Sequence, residues 1–164
     1  MRRFLVITTL VLLLLAVVGV AVSQFSLSAL DEPGRAEIYL ATQAKHMLVA
    51  RDSHGVPPGP ASTPASIAAG EKLYGAECAS CHGLNGRTPT DAGRWMYPRA
   101  ADLTSEQVQQ YSDRELFWIV KNGIRLSGMP AFGRVETDEH LWQLVHYLRT
   151  LKRGGGATRV PAQP

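Results

Sequence analysis

The stretch GAECASCHGLNG, residues 75–86, contains both cysteines of this 164-residue chain. Cys78 and Cys81 are three positions apart, and His82 follows directly. Such a pair occurs in four kinds of site: a disulfide, a thioredoxin-like redox pair, half of a zinc site, or an attachment point for a covalent prosthetic group. The rest of the sequence discriminates among these four.

The N-terminal segment, residues 1–22, directs the chain to a membrane. Residues 4–22 are uncharged and apolar and follow Arg2 and Arg3. About 20 such residues span a bilayer, whereas a signal-peptide core has about 7–15. The length favours a retained anchor, and a cleaved signal peptide is the alternative. Because positive residues stay cytoplasmic, we expect a single-pass protein of the cell membrane with its main domain on the periplasmic, outer face, or free in the periplasm after cleavage.

Residues 23–62 are predicted to join this segment to the main domain through a helix and a linker. Residues 35–51 have apolar side chains at helical spacing, Met47 among them as a packing residue. This helix can connect, lie on the membrane surface, pack on the main domain or contact a partner. Residues 55–64 contain four prolines and two glycines, which is typical of a linker.

The main domain, residues 63–152, is predicted to be all-α, because helix-capping signals recur in it and no run of alternating polar and apolar residues does. The tail, residues 153–164, is predicted to be disordered. Long loops are expected at residues 83–103 and 124–136. The signals are Thr63-Pro64, TSEQ at 104–107, SDRE at 112–115 before a helix that ends at Gly123, and Thr137 before a helix that ends at Gly154.

This helical setting decides among the sites for the cysteine pair. A thioredoxin-like pair needs a preceding strand, and zinc needs two more ligands, which His140 and His146 do not supply at six positions apart. A disulfide remains the alternative in an oxidising compartment. C-x-x-C-H is the attachment sequence of c-type haem. We therefore expect one haem c, bound through Cys78 and Cys81, with His82 as an axial ligand of the iron.

The sixth ligand of the iron determines its chemistry, because His/Met ligation favours electron transfer and an open site favours ligand binding. Met129 lies in RLSGMPAFG, 47 residues after His82, where Gly128 and Pro130 prevent a continuing helix and present one thioether. Met129 is our predicted ligand. Met96 and an open sixth position are the alternatives.

Four segments together resemble class I c-type cytochromes, specifically bacterial single-haem domains. The resemblance covers about residues 63–152 and implies a helical fold wrapped round one haem, in which the first and last helices cross closely. Gly70 and Tyr74 would lie at that contact. The four segments are AGEKLYGAECASCHGLNG, SDRELFWIVKNGI, SGMPAFG and HLWQLVHYLRTL.

The resemblance also implies contacts around the cofactor. The second ring nitrogen of His82 would donate to a backbone carbonyl, for which Pro98 is the candidate and Pro89 the rival. Four side chains in one loop are candidates for binding the haem propionates, and an ordinary solvated loop is the alternative: Trp95, Arg99, Arg94 and Tyr97. Lys121 and Arg125 would frame an exposed haem edge for a redox partner, or form a solvated surface.

The expected function is that of a membrane-tethered single-electron carrier in a periplasmic or respiratory chain, with no substrate transformed at its haem. The alternatives are a haem subunit of a larger membrane oxidoreductase and a ligand-sensing or peroxidatic haem protein. Expected partners are redox proteins or oxidoreductase subunits. Nucleic acid is not one, because the main domain is balanced in charge and the pI of 9.1 reflects basic residues at both chain ends.

Overall fold

The computed structural model describes residues 1–152 apart from residues 24, 25, 27 and 29. The chain forms two compact units, Met1–Pro33 and Gly34–Pro164. The described residues contain helices and no strand, which confirms the all-α prediction. The tail that we expected to be disordered lies outside them.

The first unit contains a single long helix, α1, Arg2–Ser23. Its 22 residues extend about 33 Å at 1.5 Å per residue, close to the thickness of a bilayer core. The mean hydropathy of its most apolar window is 3.0, and none of that window is buried. The helix is thus long and apolar enough to cross a membrane, and a signal sequence has the same properties.

The second unit carries the predicted domain, and its helices surround one apolar core. They are α2 (Arg35–Asp52), α3 (Pro64–Glu77), α4 (Ala79–His82), α5 (Asp91–Trp95), α6 (Glu106–Gln109), α7 (Asp113–Asn122) and α8 (Asp138–Thr150), with 3-10 turns at Ser53–Gly55 and Phe132–Arg134. Three predicted caps are confirmed: the Thr63, Ser112 and Thr137 side chains each accept a hydrogen bond from the first turn of their helix.

Two predicted helix boundaries are wrong. The cap of α6 is Ser105 and not Thr104, because the carboxylate of Asp102 accepts from both the backbone N–H and the hydroxyl of Thr104. Ser105 is therefore the first hydroxyl available to the helix. Helix α8 ends at Thr150, before the predicted stop at Gly154, which lies outside the described residues. The short helix α5 also interrupts the expected loop at residues 83–103.

Helices α3 and α8 cross at a very short distance. A Cβ atom on Gly70 would lie 2.0 Å from the backbone oxygen of Gln143, so only glycine permits this approach. Beside it, the rings of Tyr74 and Tyr147 are 5.2 Å apart. The predicted close contact at Gly70 and Tyr74 is confirmed. Since α3 leads directly to Cys78, the crossing positions the cysteine segment on the core.

Helix α2 packs on this core and does not merely connect. Val49 is buried, and the His46 ring stacks on Tyr111 with centroids 4.4 Å apart. The Tyr97 hydroxyl donates to Glu37 at 2.6 Å. Met47 points away from this contact and is 68% exposed, so its prediction as a packing residue is wrong.

The proline-rich segment after α2 also lies against the domain. A Cβ atom on Gly59 would be 2.4 Å from the Trp142 ring, and the Pro60 carbonyl accepts from His146 at 3.1 Å. The segment predicted as a linker therefore follows an extended path over α8, which the prolines favour because they fix φ.

Candidate cofactor site

Cys78, Cys81 and His82 lie within one turn at the junction of α3 and α4. Cys78 follows α3 as its C-cap, and its carbonyl accepts hydrogen bonds from the backbone N–H groups of Cys81 and His82 at 3.1 and 3.0 Å. Both cysteines are free, part-buried thiols. The arrangement presents two sulfur atoms and one imidazole on a short, hydrogen-bonded segment.

The surroundings of Cys78 favour an uncharged sulfur. Burial raises the pKa of its thiol to about 12, and the neighbouring Glu77 carboxylate adds to the shift. The thiolate is therefore a negligible fraction at neutral pH. A thioether, which never carries a negative charge, fits this desolvated position.

His82 is oriented by a backbone carbonyl. Its Nδ1 lies 2.9 Å from the oxygen of Ala101. Because a carbonyl only accepts hydrogen bonds, Nδ1 must carry the proton, and Nε2 of the neutral ring keeps its lone pair. Burial lowers the pKa of His82, which favours this neutral form. A neutral imidazole with a fixed ring is the form that ligates metals.

The acceptor is not Pro98, as we predicted, nor its rival Pro89. Two hydrogen bonds fix the chain on either side of the true acceptor: the Ala100 N–H donates to the Gly93 carbonyl at 2.9 Å, and the Leu103 N–H donates to the Gly86 carbonyl at 2.7 Å. Ala101 lies between these two anchors. Sequence analysis missed it because every residue has a carbonyl, so residue type gives no signal.

The backbone of the cysteine turn is enclosed by the loop that follows it. Thr90 N–H donates to the Cys81 carbonyl at 3.1 Å, and the Thr90 hydroxyl donates to the Ser80 carbonyl at 2.6 Å. A Cβ atom on Gly93 would lie 2.1 Å from the Cys81 oxygen. These contacts fix the carbonyls of the turn in one arrangement, and neither Thr90 nor Gly93 was singled out from sequence.

Met129 lies in a tight loop at the end of α7. Gly123 ends the helix with φ +68°, and a Cβ atom there would lie 2.7 Å from the Met129 oxygen. The Met129 N–H donates to the Ser127 hydroxyl at 3.2 Å, and its side chain packs against the core. Met96 contacts the same loop, since a Cβ atom on Gly128 would lie 2.5 Å from its sulfur.

The other predicted residues are at the surface. Trp95 is 78% exposed, and Arg99 and Pro98 are exposed beside it. Arg94 pairs with Asp91 on the same short helix.

Lys121, the expected frame of a haem edge, pairs with Asp138 at 2.6 Å and lies 5.5 Å from the centre of the Phe117 ring. Arg125 is exposed. Within the described ranges, no three His, Cys, Asp or Glu side chains are grouped so that they could hold a metal ion.

Comparison with known proteins places residues 65–148 in one family, described as cytochrome c oxidase, cbb3-type, subunit III. Cytochrome c-554(547) of Halothiobacillus neapolitanus is 48% identical over 42 residues, which are 26% of this chain and 41% of that protein. Quinohemoprotein alcohol dehydrogenase ADH-IIG of Pseudomonas putida is 33% identical over 92 residues, 56% of this chain and 11% of that protein.

A solved structure is also similar. A chain of the Kuenenia stuttgartiensis reducing HAO-like protein complex gives a TM-score of 0.52 at 27% identity, over 60% of this chain and 48% of that one. The present chain therefore spans less than half the length of each of these relatives. What it shares with them is one domain.

Proposed function

Because the chain belongs to the family of cbb3-type cytochrome c oxidase subunit III and is a class I c-type cytochrome, we propose that it transfers single electrons through one covalently bound haem c. The observation that carries this proposal is the orientation of His82. Its Nδ1 is bound to Ala101 beside two free thiols, which leaves Nε2 as the ligating atom.

Cys78 and Cys81 are the residues that would hold the porphyrin, as thioethers to its two vinyl groups. Bound haem c supplies an iron that changes between two oxidation states. His82 Nε2 and Met129 Sδ would hold that iron, and Trp95 and Arg99 would contact the propionates. The Ala101 hydrogen bond prevents rotation of the imidazole, and the Gly123 turn holds the Met129 backbone. Both residues would therefore keep their positions when the iron gains or loses an electron.

Ligation of the iron by both His82 and Met129 would make the chain a carrier rather than an enzyme. Substrate would then have no place to bind at the iron, and electrons would pass to and from redox partners instead. We propose that α1 tethers the carrier to the cell membrane. The arginines before α1 would keep its N-terminus cytoplasmic, with the haem on the outer, periplasmic face.

Carbon monoxide binding tests this assignment. We expect the reduced full-length protein to bind carbon monoxide slowly or not at all, because Met129 would occupy the sixth position of the iron. Rapid, stoichiometric binding, measured optically after mixing, would instead indicate an open site and a ligand-binding haem protein.

A second candidate function is that of an electron-transfer subunit in a larger membrane oxidoreductase. The family is described as an oxidase subunit, one relative is a dehydrogenase and one similar chain belongs to a complex. Extraction from native membranes in mild detergent distinguishes the two. Co-elution with other subunits in constant proportion supports the subunit role, and a monodisperse monomer with reversible one-electron titration supports the independent carrier.

A further inference from the structure

Helix α2 has an inner and an outer face, and the residues that the structure describes cover only the inner one. The inner face packs on the core through Val49 and through the stacking of His46 on Tyr111. The outer face carries a line of side chains at spacings of three and four residues, which lie on one side of a helix. These are Ala36, Leu40, Ala44 and Met47, all exposed.

The outer face is more apolar than a solvated helix face normally is. Leu40 is 65% exposed, Met47 68% and the flanking Tyr39 63%. Glu37 accepts a hydrogen bond from Tyr97, and Lys45 is half-buried against the core. Arg35 and Arg51 lie at the two ends of α2, and Arg51, four residues after Met47, continues the outer face there. A surface helix of a water-soluble domain presents polar residues outward. The line from Ala36 to Met47 carries none, so an apolar environment suits it better than water.

We propose that the outer face of α2 lies in the interfacial layer of the lipid bilayer. The proposal rests on the membrane anchoring by α1 proposed above. Residues 24–34 separate the two helices along the chain and reach at most about 40 Å when fully extended. A tether of this length keeps α2 at a high effective concentration near the membrane surface.

The composition of the face matches a lipid surface better than a second protein surface. Leu40 and Met47 provide the apolar contact, and Tyr39 is an aromatic side chain with a polar tip, which suits the headgroup boundary. Arg51 lies at the end of this face, pairs with the neighbouring Asp52 at 2.7 Å and is exposed, so its long side chain can also reach lipid phosphates. A lipid contact needs only a narrow apolar strip flanked by such residues.

This contact would orient the haem domain. Since α2 is fixed to the core by Val49, the His46–Tyr111 stack and the Tyr97–Glu37 hydrogen bond, a lipid-bound α2 restricts rotation of the whole Gly34–Pro164 unit. The domain then presents one defined side to partners that diffuse along the membrane.

A nitroxide label measures the contact directly. The variant Ala44→Cys places the label on the outer face, and Lys72→Cys places it on the exposed side of α3 as a matched control. The labelled full-length holoprotein is inserted in vesicles of phosphatidylethanolamine and phosphatidylglycerol. The measured quantity is the ratio of collision rates with oxygen, which partitions into lipid, and with a water-soluble nickel chelate.

We expect oxygen to dominate at position 44 and the chelate to dominate at position 72. Adding Leu40→Asp and Met47→Asp should shift position 44 to the chelate-dominated ratio of the control. Dominance of the chelate at both positions without these changes overturns the proposal. So does protection of position 44 from both reagents with dipolar broadening between labels, which indicates a second copy, or without broadening, which indicates a protein partner.

An alkaline carbonate wash separates this proposal from the proposed anchoring. If the protein leaves the vesicles, α1 is not an anchor and the basis of the proposal is lost with it. If it stays while position 44 remains accessible to the chelate, the anchor holds and the lipid contact of α2 alone is wrong.

Discussion

The two segments that carry the candidate iron ligands are held in different ways. The Cys78–His82 turn is fixed by the rest of the domain, through Thr90, Gly93 and Ala101. Met129 is held mainly by its own loop, in which Gly123 and Leu126 both have positive φ and Leu126 is 90% exposed. The position of His82 therefore depends on the tertiary structure, whereas the position of Met129 depends on a local turn. We expect that loss of the cysteines in the Cys78–His82 turn abolishes cofactor retention. Changes in the Met129 loop should alter only the reactivity of the iron.

The largest effect is expected from removing both sulfur atoms of the rigid segment. Cys78→Ala with Cys81→Ala should give a chain without covalent haem, because no other cysteine is present. Haem staining after denaturing electrophoresis measures this. Ser80→Ala, between the two cysteines, is the matched control and should stain like the unchanged protein. Haem retained by the double variant would disprove attachment at this segment.

The next effect concerns the loop segment alone. Met129→Ala should keep the haem attached but open the sixth position, so that carbon monoxide binds rapidly and the reduction potential falls, since a methionine ligand raises it. Optical titration and redox potentiometry measure the two changes. Met96→Ala is the control, because its sulfur contacts the neighbouring Gly128. If Met96→Ala opens the iron and Met129→Ala does not, the ligand assignment must be exchanged.

A third prediction concerns the crossing that supports the rigid segment. Gly70→Ala should destabilise the domain by about 1–3 kcal/mol, because its Cβ atom would overlap the backbone of α8. Gly75→Ala on the same helix has open space and should stabilise by about 0.5–1 kcal/mol. Denaturant midpoints of the holoprotein give both values. If both variants shift the denaturant midpoint equally, α3 and α8 must be farther apart at Gly70 than the 2.0 Å between its Cβ position and the Gln143 oxygen implies.

The smallest effect is expected at one hydrogen bond behind the rigid segment. The buried Tyr74 hydroxyl donates to the Gly83 carbonyl at 2.6 Å, directly after His82. Tyr74→Phe should cost about 0.5–1.5 kcal/mol, the net contribution of one hydrogen bond, because the Gly83 carbonyl keeps a second donor in the Gly86 N–H at 3.2 Å. Tyr147→Phe, on the partly exposed ring beside it, is the control. A greater loss of stability in the control would place the important hydroxyl on α8.

The helices of this protein could be predicted because their signals are local. Thr63, Ser112 and Thr137 cap their helices through bonds that span only three residues. The cap at Thr104 failed because a nearby carboxylate competed for its hydroxyl. The C-x-x-C-H spacing is equally local, and together with the predicted helices it indicated the candidate cofactor segment.

The remaining features depend on distant parts of the chain. The carbonyl partner of His82 is set by the path of a loop, so Ala101 could not be distinguished from Pro98 in sequence. The packing of α2 was also ambiguous, because both its faces are apolar and periodicity does not tell which one is covered. The role of Met129 as the sixth ligand stays a prediction until the holoprotein is measured.

The central claim is tested most directly by the intact mass of the protein. The protein is purified from its native membranes, denatured and treated with an alkylating agent that reacts with free thiols before the mass is measured. We predict a polypeptide carrying the mass of one haem, with Cys78 and Cys81 unreactive because both sulfurs are thioethers. A polypeptide of unmodified mass that takes up alkyl groups at both cysteines would contradict the account.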